Sequence, residues 1–411
     1  MNRQLRQIIA TTDVHSAFDS ATPMLTYLHA ARPDSLIVDC GDFFEGSGYY
    51  HLGKGRIERE ALTTLYDLIA PGNHGWPHYF EPQLQQMTVC ANTSDDSGNP
   101  LFDRVRIQDI GGRRVAITAV MGPQAFHTIP VGQRADHRVS NPAQALREVM
   151  LEHHHRADAW IVLSHSGFKE DLKLAAACPF ADVVFAGHCH SDTLGPVHVG
   201  DTLVVKGREL GVGYAAAEPV GSGWAARTCA FPDASATPRH LTALLDEIAT
   251  VGQQLRSPLG TLDEPFRNAP LDRRWLLEEI ASRLHCGLGA DAVVLNETAL
   301  RSVELGTTLT VGNLLAIEPF GNQLVHAFLP EQHAQDHDKL LDRLTERVGP
   351  LIVAPAPLPS AIRTVLTTDY LADTCLGGRT HPAGIRLGQA VRHVLTAPIP
   401  NPTESQERGE Q

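Results

Sequence analysis

The chain has 411 residues, with 47 acidic against 34 basic side chains and a formal net charge of -13. At roughly 100 to 200 residues per domain this length predicts two or three domains, and a hydrophobic fraction of 43% excludes a disordered or fibrous chain. The acidic balance excludes a protein built to neutralise a polymeric phosphate backbone, a task carried by clustered Lys and Arg.

In chain order, short apolar runs rich in β-branched residues alternate with helical patterns, which predicts an α/β arrangement. The expected buried strands are Ile8 to Thr12, Leu36 to Cys40, Leu68 to Ala70, Val89 to Ala91, Val115 to Val120, Trp160 to Ser164 and Val183 to Ala186. Helical spacing covers Ala21 to Ala31, Ile57 to Tyr66 and Pro142 to His155, the last with Asn141 as N-cap and Pro142 at the first helical position. After Gly200 shorter strands, Thr202 to Lys206 and Gly213 to Ala217, complete a first domain expected over residues 1–235. The small, polar, proline-bearing stretch Phe231 to Pro238 reads as a linker. A second domain, 236–396, opens with helical patterns at Leu241 to Leu255 and Arg274 to Leu284 and a strand at Ala292 to Leu295. Residues 397–411 have too little apolar surface to pack and are expected to form a disordered tail. No run approaches 18 apolar residues, so no membrane span is expected. The 7 cysteines contain no C-x-x-C pair, and the start MNRQLRQIIATTDVH lacks the apolar run of a secretory signal, so reduced thiols and a cytoplasmic location are expected.

Residues able to bind metal fall just past these strands. Asp13 and His15 follow the first, Asp42 the second, and Asn73 and His74 the third. His165 follows Trp160 to Ser164, and His188 and His190 follow Val183 to Ala186. In an α/β sheet the carboxyl ends of the strands open on one crevice, where residues distant in sequence converge. A single Asp-x-His after a strand carries little information; five successive sites of carboxylate, amide or imidazole carry much more.

In this order D-x-H (Asp13, His15), G-D-x-x-x-G (Gly41 to Gly46), G-N-H (Gly72 to His74), S-H-S-G (Ser164 to Gly167) and G-H-x-H (Gly187 to His190) resemble the calcineurin-like metallophosphoesterases. The stretches G-D-F-F-E-G-S and V-C-A-N-T (Val89 to Thr93), with VVLNETALR and GTTLTVGNLLAIEPFGNQLV between Val293 and Val325, resemble the 5′-nucleotidase branch. The resemblance implies an α/β (α+β) fold: a four-layer β-sandwich flanked by helices, followed by a smaller α/β substrate-binding domain. It implies two divalent metal ions, with Asp42 as the shared ligand. One ion would take Asp13, His15 and His190, and the other Asn73, His165 and His188. Two such ions clamp a phosphoryl group and activate water; mixed O and N donors suit Zn, Mn, Fe or Co. They also supply the local positive charge that an acidic chain lacks.

The resemblance assigns His74 to catalysis, stabilising the transition state or protonating the leaving oxygen. In the family pattern an aspartate three residues later orients this histidine, whereas here that position is Pro77. His78 reads as an ordinary loop histidine. In the second domain Arg301 matches an arginine that holds substrate, its competing role being a surface salt bridge, and Tyr370 matches one of two rings that sandwich a base, its competing role being a core tyrosine. The family's G-G-D-G after that ring is here Leu376, Gly377, Gly378 and Arg379, and the second ring has no counterpart in Pro350 to Ser360. The implied activity is that of a hydrolase acting on phosphoric monoesters, removing the 5′-phosphate of a nucleoside monophosphate or modified nucleotide. The implied partner is thus a small nucleotide rather than a polymeric nucleic acid or a membrane. The alternatives are a cyclic-nucleotide or other phosphodiesterase on the same centre, or a metal-containing binding protein that has lost turnover. His153 to His155 read as a solvated helix end, and Ser164 and Ser166 lack a nucleophile-elbow context.

Overall fold

The central strand-forming runs of the first 230 residues are apolar on both faces, and in the computed structural model they and more exposed edge strands build two mixed sheets. Residues 3–233, 237–264, 266–329, 337–376 and 379–396 are described, so the tail expected at 397–411 lies outside them. The chain divides into two compact units, Met1–Gly252 and Gln253–Gln411. The division falls beyond the stretch 231–238 because the residues that follow it pack on the first unit: the His240 ring stacks on His29, centroids 5.8 Å apart, and Glu247 pairs with Arg56.

The first unit contains β1 (Gln7–Thr11), β2 (Ser35–Asp39), β3 (Leu68–Ile69), β4 (Thr93–Asp95), β5 (Val105–Ile110), β6 (Arg113–Met121), β7 (His137–Val139), β8 (Ala159–His165), β9 (Val183–Ala186), β10 (Val197–Val199), β11 (Thr202–Lys206), β12 (Gly213–Val220) and β13 (Gly223–Ala230). One sheet has the order β13-β12-β1-β2-β3 and the other β10-β11-β9-β8-β6-β5. Within them β1, β2 and β3 run parallel, as do β6, β8, β9 and β11. Alternation along each strand sends Ile8, Val38, Ile161, Leu163, Phe185 and Val205 into the core between the sheets. The opposite face of the second sheet, including Val120, Val162, Val184 and Val204, packs with Leu146 and Val149 of helix Pro142–His153 and Leu174 and Ala175 of helix Phe168–Ala177. Both sheets and their helices give the expected flanked sandwich.

Val89 to Ala91 does not form the expected strand. Val89 N–H donates to Ile69 O at the edge of the first sheet, and Ala91 N–H donates to Ala119 O of the second. Its hydrogen bonds are therefore divided between two sheets instead of forming one ladder. In the second unit β14 (Pro258–Thr261) pairs with β16 (Thr308–Thr310). Apart from them β15 (Ala292–Asn296), β17 (Gln323–Phe328), β18 (Leu351–Ala354), β19 (Thr364–Thr368) and β20 (Thr380–Arg386) form a sheet of the order β18-β15-β19-β17-β20. Leu276, Leu277 and Ile280 of helix Arg273–Leu288 share a core with Val293 and Leu295 of that sheet. Among the described residues no helix is long and apolar enough to cross a membrane.

Candidate functional site

The carboxyl ends of β1, β2, β3, β8 and β9 deliver the polar residues. Asp13 is fully buried, His15 and Asp42 are 8% and 2% exposed, and His165 is fully buried at the end of β8. His74 and His188 are half-buried and His190 is exposed. Local backbone holds them at a cost, since Asp13, His15, Asp42 and His188 have φ of 50°, 50°, 57° and 78°. A non-glycine residue rarely enters this left-handed region, and strained positions of this kind cluster at functional sites. The glycines of the motifs have a steric reason. A Cβ on Gly72 would stand 2.1 Å from Asp42 Oδ1, and one on Gly187 would stand 2.5 Å from Thr12 Oγ1.

Asp42 is central. Its Oδ1 accepts from His74 N–H at 2.8 Å, while Oδ2 lies 3.2 Å from His165 Nε2 and 3.8 Å from His15 Nε2. Donor atoms of His15, Asp42 and His74 lie within 4.8 Å of one another, and so do those of Asp42, His165 and His188. Asn73 Oδ1 is 3.1 Å from His165 Nε2. Asp13 accepts the His188 N–H on both carboxylate oxygens at 3.1 Å, and its Oδ2 accepts from Thr12 Oγ1 at 2.5 Å. His190 stands beside His15, ring centroids 5.4 Å apart. All eight residues singled out in the first unit, Asp13, His15, Asp42, Asn73, His74, His165, His188 and His190, thus meet at one end of the sandwich.

The electrostatics suit a cation. Burial opposes charge on Asp42, yet His165, His74 and His15 outweigh it and hold the carboxyl far below its usual range. Burial lowers His15 to about 4, and burial together with His165 lowers His188 to about 4, so both offer neutral imidazole, the form that binds metal. Burial also opposes charge on His165, but Asp42 and Asp13 raise it to about 9. Its Nδ1 donates to Cys40 O at 2.8 Å, which turns Nε2 toward Asp42 and Asn73. Among the described residues both buried ring nitrogens of His15 find no hydrogen-bond partner. Orphaned buried nitrogens beside a buried carboxylate fit a resident divalent cation.

Three supporting groups are not marked by the motifs as ligands or catalysts, although Glu45 stands inside G-D-F-F-E-G-S. Glu45 Oε2 accepts from His74 Nδ1 at 3.1 Å. Glu209 accepts from His190 Nδ1, and fully buried Lys206 donates from Nζ to Glu209 and to the Cys189 carbonyl. Only the spacing Lys206 to Glu209 hints at the second pair, because a lysine closing an apolar strand needs an acid nearby. Pro77 lies in the turn Trp76–Phe80, and His78 is engaged by Glu81 at 2.7 Å and by the Tyr50 hydroxyl at 2.9 Å. In the second unit the Arg301 guanidinium carbon lies 5.6 Å from the ring centroid of Phe320, which is 56% exposed. Tyr370 is 52% exposed, so it is not a core tyrosine.

Beneath the site Asp39 is buried, accepting from Thr11 Oγ1 at 2.6 Å and Gly41 N–H at 2.9 Å, and burial pushes it up to about 8. A carboxyl raised on folding stabilises fully below its unfolded value near 4 and loses that contribution as pH rises through the folded value. Metal-free protein is expected to lose up to about 1.4 kcal/mol per pH unit from this residue between pH 5 and 8. Urea unfolding with chelator present should show a flatter decline for Asp39→Asn; parallel stability curves for the two proteins would refute the assignment.

Residues 6–192 match the model of the calcineurin-like phosphoesterase family. A 5′-nucleotidase precursor from Thermus thermophilus superposes with a TM-score of 0.67 at 19% identity, covering 95% of this chain and 96% of that one. The sulfate thiohydrolase SoxB of the same genus gives 0.68 at 17% identity over 98% and 97%. A snake venom 5′-nucleotidase from Crotalus adamanteus is 26% identical over 176 residues, 40% of this chain and 30% of that protein. The chain spans less than half the length of the curated relatives it matches.

Proposed function

Residues 6–192 form a calcineurin-like phosphoesterase domain, and from that premise we propose that the protein is a metal-dependent phosphomonoesterase that removes the 5′-phosphate of a nucleoside monophosphate or a modified nucleotide. The observation that carries this reading is the convergence of His15, Asp42, His74, His165 and His188, with Asp13, Asn73 and His190 beside them, around the orphaned ring nitrogens of His15. Asp13, His15 and His190 would hold one divalent ion, Asn73, His165 and His188 a second, and Asp42 both. When bound, such ions polarise phosphoryl oxygens and activate water.

The remaining work falls to the chain. His74 is held by its backbone N–H on Asp42, and its ring would give a proton to the oxygen that leaves phosphorus. Asp42 and Asp13 keep the ligand histidines in place, and Thr12 and Cys40 fix the orientation of Asp13 and His165. Arg301 would grip an anionic part of the substrate, and Tyr370 would stack on the base. The similar 5′-nucleotidases support the nucleotide preference, and the ligand set supports the phosphoester chemistry.

The test is phosphate release by protein loaded with Mn or Zn across nucleoside monophosphates, sugar phosphates and cyclic nucleotides. Free phosphate from a 5′-nucleotide supports the reading. A monoester product from a cyclic nucleotide would replace it with a phosphodiesterase, and tight binding without turnover would replace it with a binding protein.

A further inference from the structure

We propose that Glu45 is the positioning residue for His74, setting its tautomer and aiming its second ring nitrogen at the leaving oxygen. Glu45 Oε2 accepts the Nδ1–H of His74 at 3.1 Å, which turns Nε2 toward a substrate; in the doubly protonated ring the Nε2–H is the proton given to the leaving oxygen, while the Nδ1–H stays on Glu45. A carboxylate on one imidazole nitrogen is the general means of fixing which nitrogen does the chemistry.

The backbone is arranged to bring the two residues together. Glu45 sits at φ 63°, a left-handed conformation that a glutamate adopts only when its surroundings impose it. Gly75, directly after His74, has φ 66°, and a Cβ there would lie 2.4 Å from Phe44 Cβ. The loop after His74 is therefore pressed against the residue before Glu45, and only a glycine allows that approach. The same two loops are tied again where His74 N–H donates to Asp42 Oδ1 at 2.8 Å. The ring of His74 also packs edge-on against His15, centroids 4.9 Å apart, which limits the other orientations it could take. Pro77, the side chain three residues along, has no acceptor to offer, so the carboxylate comes from a different loop.

This inference rests on the phosphoesterase reading for its kinetic arm and is independent of it for its spectroscopic arm. In the metal-loaded protein Glu45→Ala is expected to lower kcat about 10²-fold with KM little changed, the usual scale for loss of an orienting partner. In a His74→Ala background the same change should cost nothing more, because its effect passes through His74. A purely structural role would instead lower both backgrounds alike, and metal content with thermal melting of each variant controls for misfolding. Glu45→Gln keeps an acceptor and should retain more activity than Glu45→Ala; it also replaces that variant if Glu45→Ala does not fold. Nitrogen-15 spectra of the imidazoles, recorded at a pH where His74 carries a single proton and with its signals identified by His74→Ala, should show that proton on Nδ1 in the parent and its loss from Nδ1 in Glu45→Ala. An unchanged tautomer, or equal losses in both His74 backgrounds, would overturn the proposal. If the parent hydrolyses nothing, the functional reading fails while the tautomer measurement still decides the role of Glu45.

Discussion

Asp42→Asn is expected to lose bound metal and at least about 10³ of the rate of phosphate release, the scale of several kcal/mol of charge stabilisation. Asparagine keeps the size of the side chain and one acceptor for His74 N–H, so the folded backbone should survive. What disappears is a charge that both candidate ligand groups share. Asp42 is 2% exposed, with an oxygen 3.2 Å from His165 and 3.8 Å from His15, so no water can replace it at the meeting point. Removing a ligand on one side only, as in His188→Ala, should weaken one group and leave part of the other. Metal analysis after gel filtration and phosphate release at saturating nucleotide provide the check. Full metal content in Asp42→Asn would show that the cation sits elsewhere, and full activity would remove Asp42 from the chemistry.

The sequence made the convergence legible for a simple reason. Buried parallel strands read as unbroken apolar runs, and the first polar residues after Thr11, Asp39, Ile69, Ser164 and Ala186 must lie at one end of the sandwich. The supporting contacts do not follow that logic. Glu45 reaches His74 across two loops, and although it stands inside G-D-F-F-E-G-S, nothing in that stretch says which distant side chain it meets. Phe320 was visible in the E-P-F-G-N stretch, but its exposure beside Arg301 depends on the turn that precedes β17. Val89 to Ala91 has the composition of a strand and lacks only a single partner edge. In each case local composition was correct and the missing information was which non-local group supplies the hydrogen bond or covers the ring.

Lys206→Met is expected to destabilise the first unit and loosen the metal together. Lys206 is fully buried in β11, opposite Ala186 in β9, so its ammonium lies beneath the loop that carries His188 and His190. There Nζ donates to Glu209 and to the Cys189 carbonyl and lies 3.4 Å from the Ser191 carbonyl. Methionine fills a similar volume but removes that donor, and among the described residues Glu209 is left with His190 as its side-chain partner. Breaking a buried pair by removing one member costs about 3 kcal/mol or more, which for a unit of this size is a Tm drop of roughly 10 °C. The partly open setting of Glu209, whose side chain is 18% exposed, favours the lower end of that cost. Because Glu209 also orients His190, metal affinity should fall about 10- to 100-fold in the same variant. Lys206→Met combined with Glu209→Gln removes the unpaired charge and should recover part of the stability without restoring the affinity. Thermal melts of metal-free protein and calorimetric metal titrations separate the two effects. Loss of stability with unchanged metal affinity would make the pair a scaffold for the loop alone, whereas loss of both would place Lys206 and Glu209 among the residues that set the geometry of the centre.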